Sequence, residues 1–274
     1  MAILLMPLNW SIETFKWYRL VNKTQPFSFL KSFESVLSGL ALSMNTPNRI
    51  GEYGGRVVYL EQGNRLKGVA LTLVSSVGQL LITLIVGWFA LLVLKSQLSD
   101  IQLGATHFSS ILLMVFQYSV LAFVILTAVF FFRMQWLAKM LKWVPLLKEK
   151  LSFTDVLEKL SNRFYLEILF YSFLRFLVFA AQYILIWQAL SVDITWWQGF
   201  WSVAIVFLIM AIVPSFAIAE IGIRGKVAIS ITALFTTNNI AILAGTIGIW
   251  LLNLVLPALL GSLLLLSIKI IKDK

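Results

Sequence analysis

The chain of 274 residues is 60% hydrophobic and only 12% charged, with 22 basic and 12 acidic side chains and a net charge of +10. Soluble domains carry about 25% charged residues, so this composition excludes an ordinary soluble domain. The basic excess does not indicate nucleic acid, because Lys and Arg cluster between apolar segments as in membrane proteins. With no Cys and one His, His107, disulfides, thiol chemistry and a histidine-based metal site are excluded, and we expect no cofactor.

The first element is an apolar segment at residues 1–18 that turns polar at Glu13 and Lys16. The part before Glu13 would form a helix of roughly 18 Å, which is too short to cross the hydrocarbon core. This segment is either a half-helix or, as we expect, the remainder of a longer helix whose N-terminal part is missing or trimmed.

The next apolar run, residues 27–44, breaks at Pro47 and is followed by Glu52-Tyr53-Gly54-Gly55-Arg56, a Glu-x-Gly-x-Arg motif. Basic residues flank the hairpin 28–62 on both sides. Since basic loops are retained in the cytoplasm, both ends of this hairpin are expected there, which indicates a re-entrant element. Residues 66–94 then form a long predicted span.

The central part of the chain contains a return span at 108–132 and a basic segment at 133–151. Apolar residues at helical spacing predict that 133–151 is an interfacial helix on the cytoplasmic surface, with recognition of a partner protein as the alternative. The span 164–190 carries Arg175 near its middle. A charge at that depth indicates either a functional site or a structural pair with Glu167 or with backbone carbonyls.

The second break follows the span 196–213 at Pro214, and the sequence Glu220-Ile221-Gly222-Ile223-Arg224 repeats the Glu-x-Gly-x-Arg motif. Residues 227–235 return outward and 240–268 form the last span. Residue type predicts two further groups. Tryptophans are expected at both membrane interfaces, and side-chain amides are expected to form hydrogen bonds between spans. The outer belt is Trp187, Trp196, Trp197 and Trp201, the inner belt is Trp17, Trp136 and Trp143, and the amides are Gln79, Gln117, Gln182 and Asn253.

These elements predict an all-α, polytopic membrane bundle in which 1–274 form a single transmembrane domain. The order helix, broken hairpin, span occurs twice with opposite direction, approximately in 1–94 and 164–268. Such an inverted repeat would bring the two broken tips together at mid-membrane. Interrupted segments at corresponding positions of two halves are the best indication of a transport site in a sequence.

The chemistry expected at this site is recognition of a lipid head group. Glycines permit tight turns, free amides and arginines suit a phosphate, and glutamates suit an ammonium group or a titrating proton, so the set suits a head group with both signs. The alternative is that Glu52–Arg56 and Glu220–Arg224 are local pairs that only stabilise the breaks. The candidate substrate-binding residues are Pro47, Arg49, Gly51, Glu52, Arg56, Arg175, Pro214, Glu220, Gly222 and Arg224.

At both motifs the sequence resembles the flippase-like family related to the transmembrane region of lysylphosphatidylglycerol synthase. The first family motif is similar to Pro-Gly-Arg-x-Gly-Glu. In this chain Asn48 stands at the position of the first glycine, directly after the proline. In the second, similar to Pro-x-Pro-Gly-Gly-x-Gly-x-Arg-Glu, Glu220 stands at a glycine position and Gly225 at that of the acid. Residues matching the two motifs are Pro47, Arg49, Gly51, Glu52, Gly222 and Arg224, and the stretch from Asn9 to Arg19 resembles the end of the family's second helix.

The resemblance implies a multi-pass protein of the bacterial inner membrane that moves lipids between leaflets. It also implies that the lysyl-transferring activity belongs to a separate soluble domain, so we expect no enzyme activity. The expected partners are membrane phospholipids, with a homo-oligomer or a membrane partner left open. Two alternatives are an accessory membrane subunit and a membrane-embedded enzyme, which would need a base or metal site built without His or Cys.

Overall fold

The computed structural model of the protein describes residues 2–98, 102–103, 106–107, 110–136, 154–213 and 217–272. Within these ranges the chain is helical, apart from connecting turns and a two-residue antiparallel hairpin of β1 (Gln102–Leu103) and β2 (Thr106–His107). The helices are α1 (Leu5–Val21), α2 (Phe29–Ser43), α3 (Gly51–Val57), α4 (Arg65–Val93), α5 (Lys95–Leu98), α6 (Ser110–Phe132), α7 (Thr154–Glu158), α8 (Asn162–Ala189), α9 (Trp196–Ile212), α10 (Ala217–Thr232), α11 (Asn239–Trp250) and α12 (Leu256–Lys272). The predicted all-α fold is confirmed.

Four helical segments among the described residues are long and apolar enough to cross a membrane: 62–93, 111–132, 162–189 and 239–267. Each is longer than the ~20 predominantly apolar residues that a span requires. The span 111–132, which is nearly all α6, packs along α4 and leaves most of its apolar side chains exposed, as expected of a surface that contacts lipid. The protein is therefore a multi-pass helical membrane protein.

The first predicted broken hairpin is present as α2 and α3, which pack against each other. Ser28 caps α2 by accepting a hydrogen bond from the backbone N–H of Lys31. The helix ends before a short 3₁₀ turn, Pro47–Arg49, and α3 begins immediately afterwards. Proline suits the first position of such a turn because its ring fixes φ and because no backbone N–H is needed there.

The second broken hairpin is formed by α9 and α10, which also pack against each other. Thr195 and Gln198 form a reciprocal capping box at the start of α9. Val213 leaves the helical conformation with φ −85° and ψ 112°, as expected for a residue that precedes a proline. Pro214 itself lies outside the described residues.

The long helix α4 contacts both hairpins, because it packs against α3 of the first and α9 of the second. The α1 helix packs on α2 and α8, and α8 also packs on α9 and α11. The resulting core places both hairpins against shared spans. Whether the two halves are related by inversion stays a prediction, and most of the predicted interfacial helix 133–151 lies outside the described residues.

The last span is interrupted by a π-helical turn, Leu251–Val255, which separates α11 from α12. Before this turn α11 packs on α8 and α10, and after it α12 packs on α2. Contact with α2 is close at Gly261, where a Cβ atom would lie 2.0 Å from the carbonyl oxygen of Leu37. A glycine is therefore required at this crossing.

Candidate functional site

A cavity of about 510 Å³ lies where the two broken hairpins meet. Residues from the middle of α4 (75–83) and of α8 (175–179) line it, so it lies at the level of the centres of two spans. One part of the wall is apolar and aromatic, and the other part is charged. The apolar part includes Phe176, Phe179, Phe207, Met210, Ile249 and Trp250.

The charged part of the wall combines residues from the N-terminal helix, both breaks and the middle of α8. Its charged side chains are Glu13, Lys16, Arg49, Glu52, Arg56, Arg175, Glu220 and Arg224. They form two groups, which we call the Glu13 cluster (Glu13, Lys16, Glu52, Arg56 and Arg175) and the Glu220 cluster (Arg49, Glu220 and Arg224).

The Glu13 cluster is centred on one buried carboxylate that accepts from three cations. Arg56 Nη2 donates to Oε1 at 2.6 Å, Arg175 Nη1 donates to Oε2 at 2.8 Å, and Lys16 Nζ lies 2.9 Å from Oε2. Arg175 Nε also donates to Asn9 Oδ1 at 2.9 Å. Burial of these charges is tolerated because each one has a partner of opposite sign or a hydrogen bond.

Arg56 is held from several sides. Its Nη2 also donates to Glu52 one turn earlier in α3, and its guanidinium lies 5.3 Å from the ring centroid of Trp17. Trp17 Nε1 donates to Ser35 Oγ at 2.9 Å, and that hydroxyl donates to the Arg56 carbonyl at 2.7 Å. Trp17 is fully buried, so its assignment to the inner aromatic belt is wrong: it packs against an arginine. Trp187 of the outer belt is also buried.

The Glu220 cluster joins the two hairpins directly. Arg49 Nη2, in the first break, donates to both carboxylate oxygens of Glu220 at 2.9 Å. Glu220 also accepts from Arg224, one turn later in α10, and Arg224 Nη1 lies 3.2 Å from the hydroxyl of Tyr183. Residues 171 positions apart in sequence are thus brought into one ion-pair network, and the two breaks converge.

The backbone of the first break turns through the left-handed region, with φ 49° at Asn48 and φ 59° at Arg49. Asparagine tolerates this region better than other non-glycine residues. Asn48 stands where the resembling motif has glycine, so the backbone requirement is met by a different residue. Arg49 adopts the same region at a cost of order 1–3 kcal/mol, and from this turn its side chain reaches Glu220.

The structure brings together only part of the predicted site. The residues that line the cavity are Arg49, Glu52, Arg56, Arg175, Glu220 and Arg224. Pro47 and Gly51 belong to the break but are not in the lining, and Pro214 lies outside the described residues. A Cβ atom at Gly51 would lie 2.2 Å from the Leu42 carbonyl, so this glycine serves backbone packing. Gly222 is exposed, and among the described residues no atom lies within 4 Å of the position that a Cβ atom would take there.

The structure distinguishes between alternatives that the sequence leaves open for two sets of ion pairs. Both local pairs, Glu52–Arg56 and Glu220–Arg224, are formed, but neither is isolated, because each extends into a larger network. Arg175 does not pair with Glu167 and is bonded to Glu13 in α1. Glu167 pairs with Arg19 at 2.7 Å.

Sequence reasoning missed Asn9, Glu13 and Lys16 as site residues. In the sequence, Glu13 and Lys16 mark only where the first apolar segment turns polar, yet all three side chains are buried, and each residue is at most 3% exposed. Asn9 also donates to Asn253 Oδ1 at 2.9 Å. Asn253 lines the cavity, and this hydrogen bond to α1 is of the interhelical kind predicted for it. The available signal was the spacing: Asn9, Glu13 and Lys16 recur at three- and four-residue steps and share one helix face.

The fold and the cavity define a multi-pass helical membrane protein in which two broken hairpins enclose a charged site at span centre. The family model for the lysylphosphatidylglycerol synthase TM region matches residues 1–261, and the chain belongs to this family. No curated protein and no solved structure matches the chain significantly.

Proposed function

We propose that this protein moves phospholipids between the two leaflets of a bacterial inner membrane. The observation that carries the proposal is the charged cavity at the level of the centres of α4 and α8, where the two breaks converge. Charged groups inside a membrane protein are costly and mark pathways for polar cargo. Non-helical backbone at that depth is tolerated only where it is buried in protein or lines a wet cavity.

The two walls of the cavity match the two parts of a phospholipid. Arg49 and Arg175 are partly exposed and can donate paired N–H groups to phosphate oxygens, a geometry that guanidinium favours. The aromatic wall, with Phe179 and Phe207, offers an apolar surface to the glycerol and the first carbons of the acyl chains. A volume of about 510 Å³ lies within the ~300–1,000 Å³ that small-ligand sites occupy.

We propose transport without chemical conversion of the lipid. Each carboxylate of the cavity, at Glu13, Glu52 and Glu220, accepts a hydrogen bond from an arginine. A general base must instead be free to approach the proton that it removes. These acids are therefore better suited to hold the arginines than to catalyse a reaction.

Reconstitution into vesicles that contain a head-labelled phospholipid tests the proposal. We expect wild-type protein to move the label across the bilayer and the double variant Glu52→Gln, Glu220→Gln to do so at least ~10-fold more slowly, a difference of about 1.4 kcal/mol in the barrier. The reason is that Arg49 and Arg224 lose the carboxylate that positions them. The measurement is the rate at which the label becomes accessible to a membrane-impermeant quencher.

The matched control is Glu61→Gln, which removes an exposed carboxylate outside the cavity and should leave the rate unchanged. The melting temperature of every variant is measured in detergent, so that loss of folded protein is separated from loss of transport. Equal rates for the wild type and a folded double variant, or no movement above protein-free vesicles, would contradict the proposal.

A further inference from the structure

The charges that line the cavity do not balance. Among the described residues its basic side chains are Lys16, Arg49, Arg56, Arg175 and Arg224, and its acidic side chains are Glu13, Glu52 and Glu220. Five positive and three negative charges leave an excess of two positive charges. The undescribed residues of the second break, 214–216, are Pro, Ser and Phe and carry no charge.

The excess is shared between the two clusters. The Glu13 cluster has three cations and two carboxylates, and the Glu220 cluster has two cations and one carboxylate. Exchange of partners within either cluster would leave the same excess. Each side of the cavity therefore retains one positive charge without a counterion among the described lining residues.

Hydrogen-bond donors are also in excess. Nε and Nη1 of Arg56, and Nε of Arg224, are buried and have no acceptor among the described residues. Arg49 and Arg175 have side chains that are 41% and 20% exposed, so a ligand that enters the cavity can reach them without displacing the helices. One buried acceptor of the lining, Gln79 Oε1, also has no partner among the described residues, so unpaired donors outnumber unpaired acceptors. Phosphate oxygens are strong acceptors and would complement this excess of donors.

From this imbalance we infer that the cavity selects a lipid head group of net negative charge, namely a phosphate without a compensating amine. The inference rests on the proposed function, since it names the cargo of the same cavity. The motifs alone suit a head group of both signs, but all three carboxylates already accept from arginine. An amine would therefore meet excess positive charge, whereas an anionic head group would neutralise it.

The first test measures binding to the purified full-length protein in detergent, with phosphatidylglycerol and phosphatidylcholine as probes. Both contain a phosphodiester, but only phosphatidylcholine carries a compensating positive charge. We expect phosphatidylglycerol to bind at least ~10-fold more tightly, because a full charge interacts strongly in a site of low dielectric. Equal affinities for the two lipids would overturn the inference.

Two variants that change the net charge of the cavity in opposite directions make this test more specific. Arg49→Gln removes one positive charge and should lower the preference for phosphatidylglycerol several-fold, whereas Glu220→Gln removes a negative charge and should raise it. Lys226→Gln is the matched control, since Lys226 is exposed on α10 and does not line the cavity. An unchanged preference in folded Arg49→Gln, or an equal fall in Lys226→Gln, would overturn the inference.

Two further arms separate this inference from the proposed function and from a free anion. If phosphatidylglycerol binds preferentially but neither lipid crosses reconstituted vesicles, transport fails while the charge selectivity stands. If both lipids cross at equal rates, transport stands and the selectivity fails. Sodium phosphate should displace phosphatidylglycerol only at a large molar excess; displacement at equal concentration would assign the site to free phosphate and overturn a lipid ligand.

Discussion

Replacement of Glu13 by Gln should unfold the protein more readily than any other single change of a cavity carboxylate. Glu13 is the common acceptor for Lys16, Arg56 and Arg175, and the Lys16 side chain is only 1% exposed. Without Glu13, Lys16 loses the carboxylate with which it pairs. Leaving one buried charge of a pair uncompensated costs about 3–5 kcal/mol. We expect the melting temperature in detergent to fall by about 10 °C.

The double variant Glu13→Gln, Lys16→Met tests the reason for that fall. It removes the stranded ammonium together with the carboxylate, while Arg56 keeps Glu52 and Arg175 keeps Asn9. We therefore expect the double variant to recover part of the lost stability, whereas Glu61→Gln should melt like the wild type. If Glu13→Gln melted within about 2 °C of the wild type, the cluster would not stabilise the fold as described.

The second large effect is expected at Gly55, where α3 packs against α2. A Cβ atom at this position would lie 2.4 Å from the Ser38 carbonyl oxygen and 2.6 Å from the Gly39 Cα. These are backbone atoms, so Gly55→Ala must separate the two helices of the first hairpin. Overpacking of this kind costs ~1–3 kcal/mol. Because Glu52 and Arg56 belong to α3, the displacement should also slow lipid movement.

The adjacent glycine provides the matched control. At Gly54 the nearest atom to an added Cβ is Leu42 Cδ1 at 4.0 Å, an ordinary contact. Both substitutions gain up to ~1 kcal/mol of helix propensity, so the difference between them reports the clash alone. We expect Gly54→Ala to be neutral or stabilising in the same melting measurement. Equal melting temperatures for the two variants would show that the close packing of α2 and α3 is absent.

The breaks and their motifs could be predicted from sequence because their signals are local. Pro47 and Pro214 end apolar runs. Gly55, which the packing of α3 on α2 requires, lies in the sequence between the charged residues Glu52 and Arg56. The long spans could also be predicted from local sequence, since a run of ~20 predominantly apolar residues is typical of a transmembrane helix. The pairs Glu52–Arg56 and Glu220–Arg224 follow from four-residue spacing.

The connections between distant elements could not be predicted in this way. Glu13 at the end of an apolar segment has the same local sequence whether it meets the membrane surface or a buried arginine. Its burial arises because α1 packs on α2 and α8, which no local pattern records. For the same reason the sequence offers Arg175 only a pairing along its own helix, with Glu167, as the alternative to a functional site, whereas its carboxylate partner is on α1.

The π-helical turn in the last span has a mechanical consequence. One extra residue in a turn rotates everything after it by about 100° around the helix axis. This rotation lets α11 face the second hairpin while α12 faces the first, with Asn253 in the turn bonded to Asn9. One continuous helical segment thus contacts both hairpins, so we expect a change in its tilt to alter the packing of both.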